Sequence, residues 1–344
     1  MAMIYPVVLC GGSGTRLWPR SRKQAPKPFL PLVEDRTLFE ATLGRCADGE
    51  RFAAPIVVTG KAHLAHVAAQ AAAFPGVSVI VEPEAKNTAA AIALAAERLP
   101  ADAVMLVCPS DHHIADAEAF RRAACAAAQL AEQDWLVAFG IAAHAPETGY
   151  GYIRRGAPLE GGFQVERFVE KPDRATAEQF LADGSYSWNG GIFVYRAGAF
   201  LEELRRHRPA LADAVHRSVA RGREHGAEFH PEPAAFAEVE PESVDYALME
   251  NTVRAAMVPV AMGWSDIGNW QALHEARARD GNGNCTRGRV ELVDCRDVLA
   301  ETDGPRISVI GLEGIAVVVD GDEVLVTTLA GAQKVGKLGG AANQ

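Results

Sequence analysis

The sequence predicts an α/β fold built on an open, mostly parallel sheet, followed by a short all-β segment. Short apolar runs rich in β-branched residues recur within residues 6–140, and such runs are typical of strands covered on both faces. Ala-rich stretches separate them, so strand and helix alternate. Beyond residue 285 the β-branched runs are divided by glycine turns instead, which indicates an all-β segment.

The individual elements follow from these runs. The predicted strands are 6–10, 55–60, 77–83, 103–111 and 135–140. The predicted helices between them are 61–73, 88–99 and 117–133. From about residue 150 to 240 the pattern changes to longer insertions, which we interpret as a substrate-binding subdomain laid over the sheet. A turn-rich boundary lies at 281–284.

The all-β segment spans residues 285–335 and leaves two architectures open. Turns are predicted at Asp303-Gly304, Glu313-Gly314 and Asp320-Gly321, and they suit either hairpins or a few coils of a β-helix. The last residues, 336–344, are predicted to be a frayed tail. We therefore expect one domain over 1–280, which contains the insertion, and a second, smaller β domain.

Bulk composition excludes several classes of protein. The 344 residues carry a formal charge of -10, which argues against a nucleic-acid partner, because that binding needs Lys and Arg to neutralise phosphates. The N-terminus has no basic region followed by a long apolar stretch, so we expect a cytoplasmic protein that does not bind a membrane. The six cysteines form no CxxC pair, which favours reduced, structural thiols.

A glycine-rich loop follows the first predicted strand. Gly11, Gly12, Ser13 and Gly14 allow backbone N–H groups to approach an anionic ligand, although a purely structural turn explains the glycines equally well. Neither the Walker pattern nor GxGxxG fits, since Leu17 replaces the last glycine of the latter.

Two cations near this loop favour binding of a polyphosphate. Arg16 follows the loop directly, and Lys27 lies between two prolines that stiffen its backbone. Fixed Arg and Lys groups stabilise the negative charge that builds up in phosphoryl transfer. Without the loop, Lys27 could equally be an ordinary surface lysine.

Two aspartates each follow an apolar run. Asp111 lies at the carboxyl end of a predicted strand, where open α/β sheets bind ligands, and Asp266 follows the run 258–262. Two such carboxylates can hold one Mg²⁺ and leave positions open for phosphate and water. Asp111 could instead cap the following helix.

Polar residues at other turns suit recognition of a base and a sugar. Asn87 and Thr88 lie at the start of an Ala-rich helix. They could cap the helix N-terminus, contact the edge of a base, or do both. Glu170, Lys171 and Asn189 offer a carboxylate, an ammonium and an amide, which suit sugar hydroxyls and a sugar phosphate. A surface ion pair and a turn remain alternatives.

Eight short motifs occur in an order that resembles the sugar-phosphate nucleotidylyltransferases, most closely the bacterial mannose-1-phosphate guanylyltransferases. They are GGSGTRLWPRSR with PKPFL, EPEAKNTA, PSDHHI, ETGYGYI, VEKP, WNGGIF, SVDYALME and WSDIGNW. The likeness spans residues 4–275 and, less strongly, the β segment. It implies a Rossmann-like nucleotidylyltransferase domain with a C-terminal segment similar to a left-handed β-helix, and a homodimer joined there.

The resemblance also implies roles for individual residues. Arg16, Lys27, Asp111, Lys171 and Asp266 would be catalytic, with Mg²⁺ on Asp111 and Asp266. The nucleotide would contact Leu9, Gly11, Gly12, Ser13, Gly14, Thr15, Arg16, Lys27, Glu82, Asn87, Thr88 and Ser110. The sugar would contact Gly149, Glu170, Lys171, Asn189 and Asp245.

The implied reaction joins GTP to α-D-mannose 1-phosphate and gives GDP-mannose and pyrophosphate. Many relatives carry a fused phosphomannose isomerase, for which residues 276–344 leave no room, so we expect no isomerase activity. Two alternatives remain: a uridylyl- or thymidylyltransferase acting on glucose 1-phosphate, and a non-catalytic nucleotide sensor on the same fold.

Overall fold

The computed structural model describes residues 3–12 and 14–342, and the chain divides into two compact units made of separate stretches of sequence. The sheet unit comprises 3–11, 42–110 and 114–264. The C-terminal unit comprises 12, 14–41, 111–113 and 265–342. These boundaries differ from the contiguous domains expected from the sequence, because the stretch after the first strand groups with the C-terminal residues.

Thirteen strands lie between residues 3 and 265 of the described chain. In chain order they are β1 (Ile4–Cys10), β2 (Ile56–Gly60), β3 (Ser78–Glu82), β4 (Val104–Pro109), β5 (His113–Ile114), β6 (Leu136–Ala142), β7 (Tyr152–Leu159), β8 (Gly162–Val169), β9 (Tyr186–Arg196), β10 (Arg223–His225), β11 (Glu228–His230), β12 (Ala255–Val260) and β13 (Trp264–Ser265). Five of them, β1, β2, β3, β4 and β6, begin and end close to the five predicted strands.

Eleven of these strands form the sheet of the sheet unit, in the order β10-β11-β3-β2-β1-β4-β9-β6-β12-β8-β7 among the described residues. The expectation of a mostly parallel sheet was wrong. Strands β11, β3, β2, β1 and β4 are successively parallel, but β9 pairs antiparallel with both β4 and β6, and β7 and β8 are also antiparallel. The sheet is therefore mixed.

The region 150–240 was expected to lie over the sheet, but only its helices do so, whereas its strands β7 to β11 belong to the sheet itself. Its longest strand, β9, lies inside the sheet between β4 and β6. Most of β9 is buried, and its apolar side chains point to both faces, so the strand fits a central position covered on each side. Pairing between residues this distant in sequence cannot be deduced from local pattern.

Helices cover both faces of the sheet. In chain order the α-helices are α1 (Leu38–Arg45), α2 (Leu64–Ala71), α3 (Asn87–Ala96), α4 (Ala117–Ala131), α5 (Arg174–Asp183), α6 (Ala197–His207), α7 (Pro209–Ala220), α8 (Pro233–Ala237), α9 (Trp270–Ala276) and α10 (Gly339–Ala342). Alternate residues of β4 and β6 join two different apolar clusters, one packed with α3, α6 and α7 and the other with α4. No helix of the described chain is both long enough and apolar enough to cross a membrane.

Phe120 of α4 provides a test of the second cluster. Its side chain is fully buried and meets the Phe139 ring edge-on at 6.0 Å between centroids. We expect Phe120→Ala to lower the free energy of unfolding by about 3–5 kcal/mol, because it removes a large apolar side chain and leaves a cavity. Urea unfolding measures the change, with Val253→Ala as the control because Val253 is 87% exposed. Equal stability of the two variants would contradict this packing.

The C-terminal unit contains the last six strands, β14 (Cys285–Arg287), β15 (Val290–Val293), β16 (Leu299–Thr302), β17 (Ile307–Ile310), β18 (Ile315–Asp320) and β19 (Glu323–Thr328). Strands β14, β16 and β18 pair in parallel, as do β15 and β17, whereas β18 and β19 form a hairpin whose turn, Gly321 and Asp322, follows Asp320. Of the three predicted turns, only the last closes a hairpin. A 3-10 segment (Leu329–Lys337) and α10 follow, so the described part of the expected frayed tail is helical.

Candidate active site

The glycine loop begins where β1 ends. Gly11 follows Cys10, and Gly12 and Gly14 have φ angles of 80° and 69°, a region that favours glycine. A Cβ atom built on Gly11 or Gly12 would meet no atom of the described chain within 4 Å. One side of the loop is therefore open to a ligand. The third residue of the predicted loop, Ser13, lies outside the described residues.

Gly14 is where the loop contacts Lys27. A Cβ atom on Gly14 would lie 2.5 Å from the Lys27 Cβ, so a larger residue would displace the lysine. The Gly14 carbonyl also accepts a hydrogen bond from the Ser21 hydroxyl at 2.8 Å. Lys27 begins a 3-10 turn directly after Pro26 and is only 5% exposed, so its cation is held in a fixed position.

Lys27 brings two predicted site residues to one point in the C-terminal unit. Its ammonium donates to Asp111 Oδ2 at 2.8 Å and, through a short hydrogen bond, to the backbone carbonyl of Asp266. Burial alone would raise the pKa of the Asp111 carboxyl, but the charges of Lys27 and His112 and the hydrogen bond from Lys27 lower it below its ordinary value. Asp111 is therefore ionised at neutral pH.

The Asp266 carboxylate is oriented by its own backbone. Its Oδ1 accepts from the Gly268 N–H at 3.0 Å. Lys27 thus contacts the carboxylate of Asp111 and the backbone of Asp266, and the Asp266 carboxylate itself is held by Gly268. Two carboxylates and open phosphate positions suit Mg²⁺, which keeps several waters and rarely takes an all-protein cage. No group of three acidic, His or Cys side chains arranged to hold a metal occurs among residues 3–12 and 14–342.

Arg16 and Thr15 lie in an exposed 3-10 turn (Thr15–Leu17) next to the loop. The Arg16 Nη1 donates to Gln333 Oε1 at 3.1 Å, so the 3-10 segment near the C-terminus contacts this cation. The Gly336 position is also close to this turn, with a virtual Cβ 3.4 Å from Thr15 Oγ1. Nothing in the sequence pattern indicated these partners.

Several residues expected around the nucleoside lie in the sheet unit. The Ser110 N–H donates to the Leu9 carbonyl at 3.0 Å, which ties the ends of β4 and β1 together. Glu82 ends β3, and burial raises the pKa of its carboxyl to about 7. The buried Glu82 Oε1 and Ser110 Oγ atoms have no hydrogen-bond partner in the described part of the chain.

Asn87 and Thr88 do not form the predicted N-cap. Asn87 is the first residue of α3 with φ 67°, and its Oδ1 accepts from the adjacent Thr88 N–H at 2.8 Å rather than from a residue further along the helix. The Thr88 hydroxyl instead accepts from the Val244 N–H at 2.9 Å. This pair thus ties the start of α3 to the segment before Asp245, which the local capping pattern could not show.

The residues expected at the sugar form a second cluster within the sheet unit. The Lys171 ammonium pairs with Glu170 Oε1 at 3.0 Å, and the Asn189 amide donates to Asp245 Oδ1 at 2.8 Å. Asn189 Oδ1 accepts from the Gly191 N–H at 3.0 Å, which fixes the amide orientation. Gly149 is exposed and open on its Cβ side.

The charged residues of this cluster shift one another's pKa values. Burial and the neighbouring Glu170 raise the pKa of Asp245 to about 7. Burial would lower the pKa of Lys171, but its hydrogen bond with Glu170 and the charges of Glu170 and Asp245 outweigh this and raise it. The buried Glu170 Oε2 has no hydrogen-bond partner in the described chain. A Cβ on Gly151 would lie 2.5 Å from that oxygen, so a larger residue there would displace the Glu170 carboxylate.

Four residues of this region were missed by the sequence analysis. Glu250 Oε1 accepts from the Glu170 N–H at 2.8 Å. The Tyr150 ring lies 5.2 Å from both the Trp188 and the Trp264 rings, edge-on in each case. These three aromatic residues lie within the motifs ETGYGYI, WNGGIF and WSDIGNW. The sequence-based assignment used only the polar residues of these motifs and gave the aromatic residues no role.

Two known proteins are similar to this chain over most of its length. XanB, a xanthan biosynthesis protein of Xanthomonas campestris pv. campestris (strain B100), is 46% identical over 333 residues, 95% of this chain and 70% of that protein. A protein of Escherichia coli (strain K12) named mannose-1-phosphate guanylyltransferase is 40% identical, over 97% of this chain and 72% of its own.

Solved structures show the same relationship. The crystal structure of a protein named mannose-1-phosphate geranyltransferase from Thermus thermophilus has a TM-score of 0.87 and 34% identity, and the match covers 98% of both chains. The nucleotidyl transferase family matches residues 5–283, which include the loop, Lys27, both aspartates and the second cluster. This chain therefore belongs to the nucleotidyl transferase family.

Proposed function

We propose that the chain transfers GMP from GTP to α-D-mannose 1-phosphate and releases pyrophosphate and GDP-mannose. The observation that carries this proposal is the convergence of Lys27 with Asp111 and Asp266 beside an open glycine loop. A fixed cation and two acidic residues match what transfer between phosphates requires. The choice of GTP and mannose 1-phosphate is supported by the name of the Escherichia coli relative.

The reaction needs little covalent chemistry from the protein. A phosphate oxygen of the sugar phosphate attacks the α-phosphorus of GTP, the bond to the β-phosphate oxygen breaks, and pyrophosphate leaves with that electron pair. The nucleophile is already an anion, so positioning and charge neutralisation replace a general base. Lys27 and Arg16 would neutralise phosphate oxygens, and the N–H groups of Gly11, Gly12 and Gly14 would orient them.

The two aspartates would hold Mg²⁺, which supplies charge neutralisation on the phosphates when bound. Lys27 would also orient the two aspartate residues. Its hydrogen bonds to Asp111 and to the Asp266 carbonyl keep both residues in place before any metal arrives. Lys171 would hold the sugar phosphate, and Glu170, Asn189 and Asp245 would bind sugar hydroxyls through their oxygens and amide.

Glu82 supports guanine as the base. Its buried Oε1 lacks a partner in the described chain, so it can accept hydrogen bonds from a ligand. Guanine offers two adjacent donors on one edge, N1–H and N2–H₂, which match the two oxygens of a carboxylate, whereas uracil and thymine offer a single donor there. An unpartnered carboxylate therefore favours guanine over the pyrimidine bases.

This role of Glu82 predicts a pH dependence. Because its pKa is raised to about 7, lowering the pH protonates the carboxyl and removes an acceptor. We expect kcat/KM for GTP to fall by up to about tenfold per pH unit below pH 7. Since the phosphates of GTP also titrate, Glu82→Gln provides the baseline: the variant should show a flatter profile and about 10–100-fold less preference for GTP over UTP. Identical profiles would remove Glu82 from base recognition.

The proposed activity is tested by pyrophosphate release with Mg²⁺, across GTP, ATP, UTP and dTTP paired with mannose 1-phosphate or glucose 1-phosphate. We expect the highest rate for GTP with mannose 1-phosphate. A maximum for UTP or dTTP with glucose 1-phosphate would support the alternative substrates. Binding of GTP without any pyrophosphate release would support the nucleotide sensor.

Assembly and location are part of the proposal. The parallel pairings of β14, β16 and β18 suit coils of a left-handed β-helix, and exposed apolar side chains on β17 and β19, among them Ile310 and Val326, suit contact with a second subunit. We therefore propose a cytoplasmic homodimer joined through these strands. A molar mass of one chain by light scattering at assay concentration would contradict the dimer.

A further inference from the structure

The stretch from Trp18 to Leu32 follows Arg16 and contains Lys27, and other residues of the C-terminal unit hold it at both ends. The Trp270 indole N–H donates to the Trp18 carbonyl at 2.9 Å, and Arg277 Nε donates to the Leu32 carbonyl at 2.7 Å. Both ends of the stretch are therefore held by residues that follow Asp266 in the sequence.

Glu301 lies where these contacts meet. It belongs to β16, is only 2% exposed, and pairs with Arg277 Nη1 at 2.7 Å and with Arg20 Nε at 3.3 Å. Arg277 is the residue that holds the Leu32 carbonyl, and Arg20 lies within the stretch itself. One buried carboxylate thus links the start of the stretch to its end.

A second carboxylate supports Arg20 but not Arg277. Asp320 Oδ1 accepts from Arg20 Nη1 at 3.0 Å, and Asp320 Oδ2 lies 2.9 Å from Arg22 Nη2. These three residues are partly exposed, so solvent screens their pairs more than those of Glu301. Without the Glu301 charge, Arg20 and Arg277 would remain as like charges around a neutral group, while Asp320 would still hold the outer face of the stretch.

We propose that Glu301 is a positioning residue for nucleotide transfer: its carboxylate, through Arg20 and Arg277, sets the relative position of Arg16 and Lys27. This inference rests on the proposed function, since both cations are assigned there to the triphosphate. Glu301 itself would touch no substrate. Loss of the Glu301 carboxylate should weaken binding of the nucleotide. Binding of the sugar phosphate should not change, because Lys171, Glu170 and Asn189 belong to the sheet unit.

The test compares Glu301→Gln with Glu203→Gln. Glu203 is also fully buried, and it pairs with Arg206 at 3.1 Å and accepts from the Thr252 hydroxyl at 2.6 Å, within the sheet unit. Both variants remove one buried negative charge and keep the side-chain shape. For Glu301→Gln we expect the KM for the nucleotide to rise about tenfold and the KM for the sugar phosphate to change less than about twofold. Glu203→Gln should change neither value by more than about twofold.

Hydrogen exchange on the substrate-free protein supplies a readout that does not depend on the proposed reaction. Peptides that cover residues 14–32 should exchange at least about tenfold faster in Glu301→Gln than in the parent protein and in Glu203→Gln. If the parent turns over no tested substrate pair, the proposed function fails, yet this measurement still decides whether Glu301 fastens the stretch. Unchanged exchange in 14–32 would overturn the inference.

Arg20→Gln and the double variant Arg20→Gln/Glu301→Gln distinguish loss of positioning from a general folding defect. If Glu301 acts through Arg20, the two changes are not additive, and the double variant raises the nucleotide KM by less than about twice the larger single effect. Additive effects, or an equal rise in both KM values, would assign Glu301 a purely structural role.

Discussion

Asp111→Asn is expected to lower kcat by about 100–1000-fold while the protein stays folded, since comparable losses follow removal of one transition-state-stabilising group. The amide keeps the shape of the side chain but loses the charge that faces Lys27 at 2.8 Å and that would hold Mg²⁺. Steady-state pyrophosphate release measures the loss. Because Lys27 is buried, we also expect the free energy of unfolding to fall by about 1–3 kcal/mol.

Two further variants are needed to interpret the loss of kcat in Asp111→Asn. Asp266→Asn should lose activity to a similar extent, because it removes the second carboxylate that would hold Mg²⁺ but keeps the backbone carbonyl that Lys27 contacts. Asp116→Asn is the control: Asp116 caps α4 through the Ala119 N–H at 2.8 Å, and asparagine caps equally well. Near-normal kcat in both Asp111→Asn and Asp266→Asn would rule out a shared cation site.

Lys171→Ala is expected to raise the KM for mannose 1-phosphate by about 10–100-fold and to change the KM for GTP by less than about twofold, because a charged hydrogen bond to one substrate is lost. The Lys171 side chain is 58% exposed and contacts Glu170 at 3.0 Å, so it can turn toward a phosphate without disturbing the core. Initial rates measured with each substrate varied in turn separate the two constants.

Arg174→Ala controls for the loss of a surface cation nearby. Arg174 begins α5 three residues after Lys171 and pairs only along its own helix, with Glu178 at 2.9 Å, as far as the described chain shows. Its removal should leave both KM values within about twofold of the parent. A larger effect of Lys171→Ala on GTP than on the sugar phosphate would place Lys171 at the nucleotide.

Up to residue 140, local sequence pattern predicted the main strands and helices but not their arrangement. The strands at Ile4–Cys10 and Val104–Pro109 follow from continuous apolar runs, because burial on both faces leaves that signature. The insertion of β9 between β4 and β6 does not, since pairing partners are chosen by packing across the whole sheet. For this reason the sheet was expected to be mostly parallel and is mixed.

The candidate site shows the same division. Glycines after a strand and a lysine between prolines marked Gly14 and Lys27 as separate features. That they touch, and that Lys27 contacts Asp111, depends on contacts between residues up to 84 positions apart, which no spacing rule encodes. Glu301 left no signal at all, because a glutamate in a β segment is normally exposed and only the fold buries it.

The pairing of Arg20 with Asp320 spans 300 positions of the chain and has a consequence during synthesis on the ribosome. Strands β1 to β4 can emerge and pair early, since domains tend to fold as their residues leave the exit tunnel. The stretch that carries Lys27 cannot be fully anchored until Asp320 has been translated, 300 positions after Arg20. Strands β1 to β4 can therefore pair in the growing chain before Lys27, the cation proposed to contact phosphate, is held in its final position.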